Sequence, residues 1–186
     1  MAIKGKIIQN KKTGQQIRFI QTSNDTNGLL LEMEATYDGN SKEPPQHYHP
    51  NQEEYFTIIS GEMTVRMNGQ TAVLKHGDTL FVPKNKSHSM WNNSATTAVV
   101  NWKVLPALDT EYFFETATGL SNDGKTNDQG VPNFFRSVLF AQKFSGVFRL
   151  AHPPYWIQKT LFTFLTPLAY LTGNRINYDN YIDKSS

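Results

Sequence analysis

The chain has no cysteine. That excludes disulfides, thiolate metal ligands and a thiol nucleophile, and leaves the redox compartment open. It has almost no net charge, with 18 Lys and Arg against 16 Asp and Glu. A balance of +2 lacks the electrostatic footprint of a nucleic-acid binder, and no zinc-finger or helix-turn-helix spacing is present. No apolar run reaches the length of a membrane span. Met1 to Asn10 contains no apolar stretch of signal-peptide length, which points to the cytoplasm. There is no internal repeat and no low-complexity tract. What remains is a chain of 186 residues, long enough for one domain with an appendage.

Short apolar runs dominate the first hundred residues. Ile7-Ile8, Ile17 to Ile20 and Leu29 to Met33 are separated by Lys12-Thr13-Gly14 and Asp25 to Gly28, which is strand-and-turn punctuation. Tyr55 to Ser60 is an apolar strand. Met63, Val65 and Met67 alternate with Thr64 and Arg66, and Asn68-Gly69 is a strong hairpin signal. Thr71 to Leu74, Thr79 to Val82 and Thr97 to Leu105 complete the series. This spacing predicts a mainly β sandwich or barrel over residues 1–106.

Residues 107–186 read as a mostly helical C-terminal extension packed on the barrel or on a partner subunit. Asp109 caps a short helix through Tyr112-Phe113-Phe114, and Ser121 to Gly130 is a polar loop. Asn133 caps a helix reaching about Arg149, with Phe134, Val138, Ala141 and Phe148 as its apolar stripe and Arg136 and Lys143 facing away. Pro153-Pro154 opens another helix, Tyr155 to Leu171, kinked at Pro167 and closed at Gly173-Asn174.

The chemistry concentrates at His47-Tyr48-His49-Pro50-Asn51-Gln52-Glu53-Glu54, with His88 as a distant fourth member. Side chains alternate along a strand, so His47 and His49 share a face, their Cα atoms about 7 Å apart. Glu54 opens the next apolar strand and has the parity of Phe56 and Ile58, which should face inward. Glu53 is then its solvated neighbour. Three imidazoles and one carboxylate suit a single divalent first-row metal: Fe, Mn, Ni, Cu or Zn. His76 and His152 are assigned to the surface or core. Phe56, Ile58, Met63, Val65, Met67 and Met90 are candidate pocket lining, suited to an aromatic or weakly polar small molecule. By the same parity Tyr48, Tyr55 and Trp91 point outward, consistent with a homodimer contact.

His47-x-His49, four residues, Glu54, six residues, Gly61 resembles the first motif of the cupin superfamily. Gly77, five residues, Pro83, four residues, His88, three residues, Asn92 resembles the second. The core motifs lie within 41–92. The resemblance implies a double-stranded β-helix, or jelly-roll barrel, with His47, His49, Glu54 and His88 ligating one metal inside it. Two positions depart from the pattern: Ser41 and Asn85 stand where glycine is usual. Asn tolerates a left-handed backbone, so the turn at Asn85 should be kept.

By analogy with this family the expected function is a mononuclear oxygenase acting on a small organic molecule, a dioxygenase of the quercetinase type, with Glu54 able to serve as base if it left the metal. The alternatives are a non-catalytic module that binds or senses a small ligand, and a metal-dependent isomerase. The last needs an acid–base pair that the sequence does not display beyond Glu54 and the tyrosines. Finally, Gln129 to Tyr178 has no acidic residue, five Lys or Arg and seven of the twelve phenylalanines. One reading is helices packed on the barrel or a partner; the other is contact with an anionic membrane surface.

Overall fold

The computed structural model describes residues 2–176. Two antiparallel sheets face each other. The six-stranded sheet runs β1 (Ile7–Gln9), β2 (Gln16–Gln21), β3 (Leu31–Tyr37), β10 (Ala98–Leu105), β5 (Glu53–Ser60) and β8 (Thr79–Val82). The five-stranded sheet runs β11 (Arg149–Leu150), β4 (His47–Tyr48), β9 (His88–Trp91), β6 (Glu62–Met67) and β7 (Gln70–Lys75). Helices α1 (Thr110–Asn122), α2 (Phe134–Lys143) and α3 (Tyr155–Leu171) follow the barrel strands. The mainly β jelly-roll architecture with C-terminal helices is therefore as the motifs imply.

Period-two burial builds the core. Leu31, Met33, Ala35 and Tyr37 of β3 and Ala98, Val100, Trp102 and Val104 of β10 are all buried, alternating with half-buried neighbours. Phe19, Phe56, Ile58 and Met63 pack against them. Each large apolar side chain so buried contributes about 1.5–3 kcal/mol. Asn68 and Gly69 both have positive φ, 55° and 76°, which gives the turn between β6 and β7 the twist that antiparallel strands require.

The two departures from the motif resolve differently. Asn85 takes φ 62° and donates its backbone N–H to the His49 carbonyl, so the turn is kept. At the other place, Ser41, a glycine stands two residues earlier. A Cβ on Gly39 would lie 2.4 Å from the Ala95 carbonyl oxygen, so Gly39 admits the close approach while Asn40 supplies the left-handed residue at φ 56°. Ser41 instead exchanges hydrogen bonds with the Asn92 backbone. Asn92 ties the region together, its side-chain amide donating to the carbonyls of Tyr37, Asp38 and Thr96.

Several expectations about the extension need correction. The first helix runs on to Asn122, because Ala117, Leu120 and Ser121 continue its buried side beyond the three aromatics. The second stops at Lys143, not near Arg149. Arg149 and Leu150 form β11, which pairs with Tyr48 and His47 of β4 and so joins the extension to the barrel's own sheet. Asn133 does cap α2, accepting from the Arg136 N–H. The buried side of α2 is Val138, Leu139 and Phe140. Phe134 is 61% exposed, and Arg136 is half-buried rather than turned away. Helix α3 keeps the expected bounds and runs through Pro167. Gly173 at φ 78° ends it, with the Gly173 and Asn174 N–H groups donating back to Tyr170 and Ala169. Tyr178, the end of the acid-free segment, lies outside the described residues.

Candidate metal centre

One sheet brings His47, His49 and His88 together, and the other sets Glu54 beside His49 and His88. His47 on β4 faces His88 on β9 as a direct cross-strand pair, and His49 follows β4 by one residue. Glu54, second residue of β5, comes from the opposite sheet and is buried, with Glu53 half-exposed beside it. The three histidines can each offer a ring nitrogen such that all three atoms lie within 4.8 Å of one another. Their ring centroids are 4.5–5.4 Å apart. His49 Nε2 and His88 Nε2 lie 3.2 and 3.0 Å from Glu54 Oε2. His76 bonds to the Ile59 carbonyl at the surface, away from this group, and His152 is exposed.

The backbone decides which ring nitrogens face inward. His47 Nδ1 is 3.0 Å from the Pro45 carbonyl, His88 Nδ1 is 3.0 Å from the Lys86 carbonyl and His49 Nδ1 is 2.5 Å from the Val147 carbonyl. A carbonyl oxygen only accepts, so in each neutral ring the proton is on Nδ1 and the lone pair is on Nε2. Three lone pairs and a carboxylate oxygen then converge with no donor among them. Consistent with this, neither His49 Nε2 nor Glu54 Oε2 has a well-formed hydrogen bond, although both are buried. Such a set calls for a cation, and an Nδ1–H donated to a carbonyl is the usual support of a metal-ligating histidine. The donors present therefore fit a metal.

Charge in this pocket is finely set. Protein packed around His47, and then the neighbouring His88 and His49 rings, push its pKa down to about 3, so the ring stays neutral. Burial also disfavours charge on His49, but the Glu54 carboxylate and the Val147 carbonyl outweigh it and raise its pKa. Burial alone would raise Glu54; the His49 and His88 rings beside it prevail and hold its carboxyl well below the usual range. With no ion bound, a proton on His49 is thus the natural substitute for the cation.

Sequence reasoning passed over three parts of this site. Trp102 donates its indole N–H to Glu54 Oε1 at 3.1 Å, leaving Oε2 for the histidines. Its inward parity in β10 and an indole N–H that needs a buried acceptor were the available signals. Phe148 stacks on His47 with centroids 4.8 Å apart, and Val147 orients His49. Both come from the extension, about a hundred residues away, and nothing local announced them.

Above the four residues opens a cavity of about 850 Å³. One part of its wall is aromatic, with Phe56, Trp102, Phe113, Phe114, Phe140 and Phe148; another is polar, with Lys11, Lys12, Asp38, Lys42 and Asp128. Of the lining expected from strand parity, Phe56 and Met90 do face it. Ile58, Met63 and Val65 are closed into the barrel core, and Met67 packs against that core. The α1 and α2 aromatics take their place. Trp91 also differs from expectation. It is 8% exposed, lies under the Arg66 guanidinium and borders the cavity, because the loop before β4 covers that side of β9. Tyr55 does point outward, against Phe81.

Residues 33–104 match the family model of the cupin domain. Among curated proteins, the probable oxidoreductase virH of Hypocrea virens is 29% identical over 141 residues, 72% of this chain and 63% of that protein. Quercetin 2,3-dioxygenase of Bacillus subtilis is 33% identical over 111 residues, 56% of this chain and 30% of that enzyme. The chain spans less than two thirds of the length of each of these relatives. An RmlC-like cupin from Shewanella frigidimarina superposes with a TM-score of 0.48 at 22% identity, covering 56% of this chain and 86% of its own. With the two sheets, the paired motifs and the family match in agreement, residues 33–104 of this chain form a cupin domain.

Proposed function

We infer that His47, His49, His88 and Glu54 hold one divalent first-row transition metal, and that the protein is a mononuclear oxygenase acting on a small, largely apolar organic molecule. The observation that carries this is the convergence of Nε2 lone pairs and Glu54 Oε2, without a donor between them, at the floor of an aromatic cavity. The oxidoreductase and dioxygenase relatives support the choice of reaction class. When bound, the metal would supply Lewis acidity and redox chemistry with positions left open for a ligand.

The chain's own residues would do the rest. The three Nδ1–H bonds fix the imidazoles, and Trp102 fixes which oxygen Glu54 presents. The phenylalanine wall would exclude water and orient the apolar body of the substrate. Tyr37, whose phenol burial keeps protonated, lines the same cavity and can donate a hydrogen bond to a substrate oxygen. Glu54 is held ionised, so Oε2 could take a substrate proton only if it left the metal; its ligand role is preferred. The exposed Tyr55–Phe81 pair supports a homodimer contact at that face.

Elemental analysis of protein purified without added metal tests the reading. About one iron, manganese, copper or nickel per chain is expected, and oxygen uptake on addition of oxygenated aromatic compounds. Absence of metal, or full occupancy in both His49→Ala and His88→Ala, overturns it. Saturable ligand binding by metal-loaded protein with no oxygen consumption favours the non-catalytic alternative.

A further inference from the structure

The outward face of α3 carries a row of exposed apolar side chains, interrupted by Lys159, Thr160 and Thr163. Trp156, Phe164, Leu168 and Leu171 recur at helical spacing and stack along one side. Trp156 is 70%, Phe164 74% and Leu171 83% exposed. The inner side is fixed by hydrogen bonds, so the helix cannot roll to hide this face. The Gln158 amide donates to the Leu150 and Pro153 carbonyls, and the Thr166 hydroxyl to Gln142 Oε1. Asn133, the cap of α2, donates to Asn174 just beyond α3, which sets the exposed Phe134 at the same end. Single exposed apolar residues are ordinary; a row of them on one helix marks a docking surface.

Charge identifies what docks there. From Gln129 to Ile176 there is no Asp or Glu, while Arg136, Lys143, Arg149, Lys159 and Arg175 are present. Lys159 is exposed on α3 itself, and Arg175, also exposed, lies four residues beyond Leu171. A second copy of the chain, paired by a two-fold axis through this face, would set basic segment against basic segment with no acid within residues 129–176 to offset it. An anionic lipid surface has the complementary charge, and it accepts Trp, Phe and Leu at the acyl boundary. Helix α3 is about 25 Å long, and no helix among the described residues is long and apolar enough to cross a bilayer, so it would lie in the plane of the interface.

We propose that the Trp156–Leu171 face docks this protein on an anionic membrane surface. Trp156, Phe164, Leu168 and Leu171 enter the headgroup–acyl boundary, while Lys159 and Arg175 meet the lipid phosphates. The site is independent of the metal centre.

Co-sedimentation of the intact protein with phosphatidylcholine vesicles, and with vesicles of equal parts phosphatidylcholine and phosphatidylglycerol, tests it in low and high salt. Partitioning onto the anionic vesicles at low salt should exceed the other conditions by about tenfold. Trp91 is buried, and Trp102 is 9% exposed, so a blue shift in emission on binding reports Trp156. The double variant Phe164→Glu, Leu168→Glu should lose the binding while keeping parental metal content and circular dichroism. Lys159→Glu, which leaves the apolar row intact, should weaken binding several-fold, and it decides the matter if the double variant does not fold. No pelleting with anionic vesicles overturns the proposal. So does binding that survives these substitutions, or a dimer in light scattering that they dissociate.

Discussion

The barrel and the C-terminal extension contribute to the same site by different means. The barrel supplies the four side chains, on strands whose positions follow from alternation and turn chemistry. The extension supplies a backbone carbonyl at Val147, a stacked ring at Phe148 and a strand, β11, that pairs with the histidine-bearing edge. One region makes the donors and the other aims them. A candidate metal site can thus be plain in a motif while its alignment rests on residues that no motif includes.

Removing barrel donors should break the site outright. His49→Ala or His88→Ala is expected to lower the metal content to about a tenth of parent or less, measured by elemental analysis, since each removes one of few ligands. Trp102→Phe keeps the ring but deletes the N–H held by Glu54. Metal affinity measured by chelator competition should fall by about 10–100-fold, as for other supporting partners. Phe148→Ala asks how far the extension matters. It should weaken affinity by up to about tenfold without changing stoichiometry; no change at all would make the extension a bystander.

Acid sharpens the contrast further. His49 has a raised pKa, so a proton competes with metal there from above pH 6.5 downward, whereas His47, at about 3, does not compete until the solution is strongly acidic. Affinity should therefore fall by up to about tenfold per pH unit below pH 6.5, and in that range metal binding should release a proton from His49. Calorimetry in buffers of different ionisation enthalpy counts that proton. The smallest effect belongs to Asn85. Asn85→Ala should cost about 1–2 kcal/mol in a urea melt and Asn85→Gly should not, because φ is 62° there.

Much of the barrel was legible because its signals are local. Asn68-Gly69 makes its own turn, and Glu54 declares its face by sharing parity with Phe56 and Ile58. That His47, His49 and His88 lie together, with Glu54 beside two of them, was legible from the motif spacing and the family resemblance it carries. Trp91 misled because parity says which face a residue is on, not whether a loop covers that face. Phe134 misled because helical periodicity found a stripe, but the packing of α2 used a different one. Val147 was beyond reach: a carbonyl has no sequence identity, and its partner His49 is 98 positions earlier.

That separation has a bearing on synthesis. His47, His49, Glu54 and His88 leave the ribosome well before Val147 does, and β11 cannot zip onto β4 until Leu150 has followed. A nascent barrel thus carries these four side chains while one imidazole still awaits its tether, and their final alignment follows only once residues 147–150 have emerged.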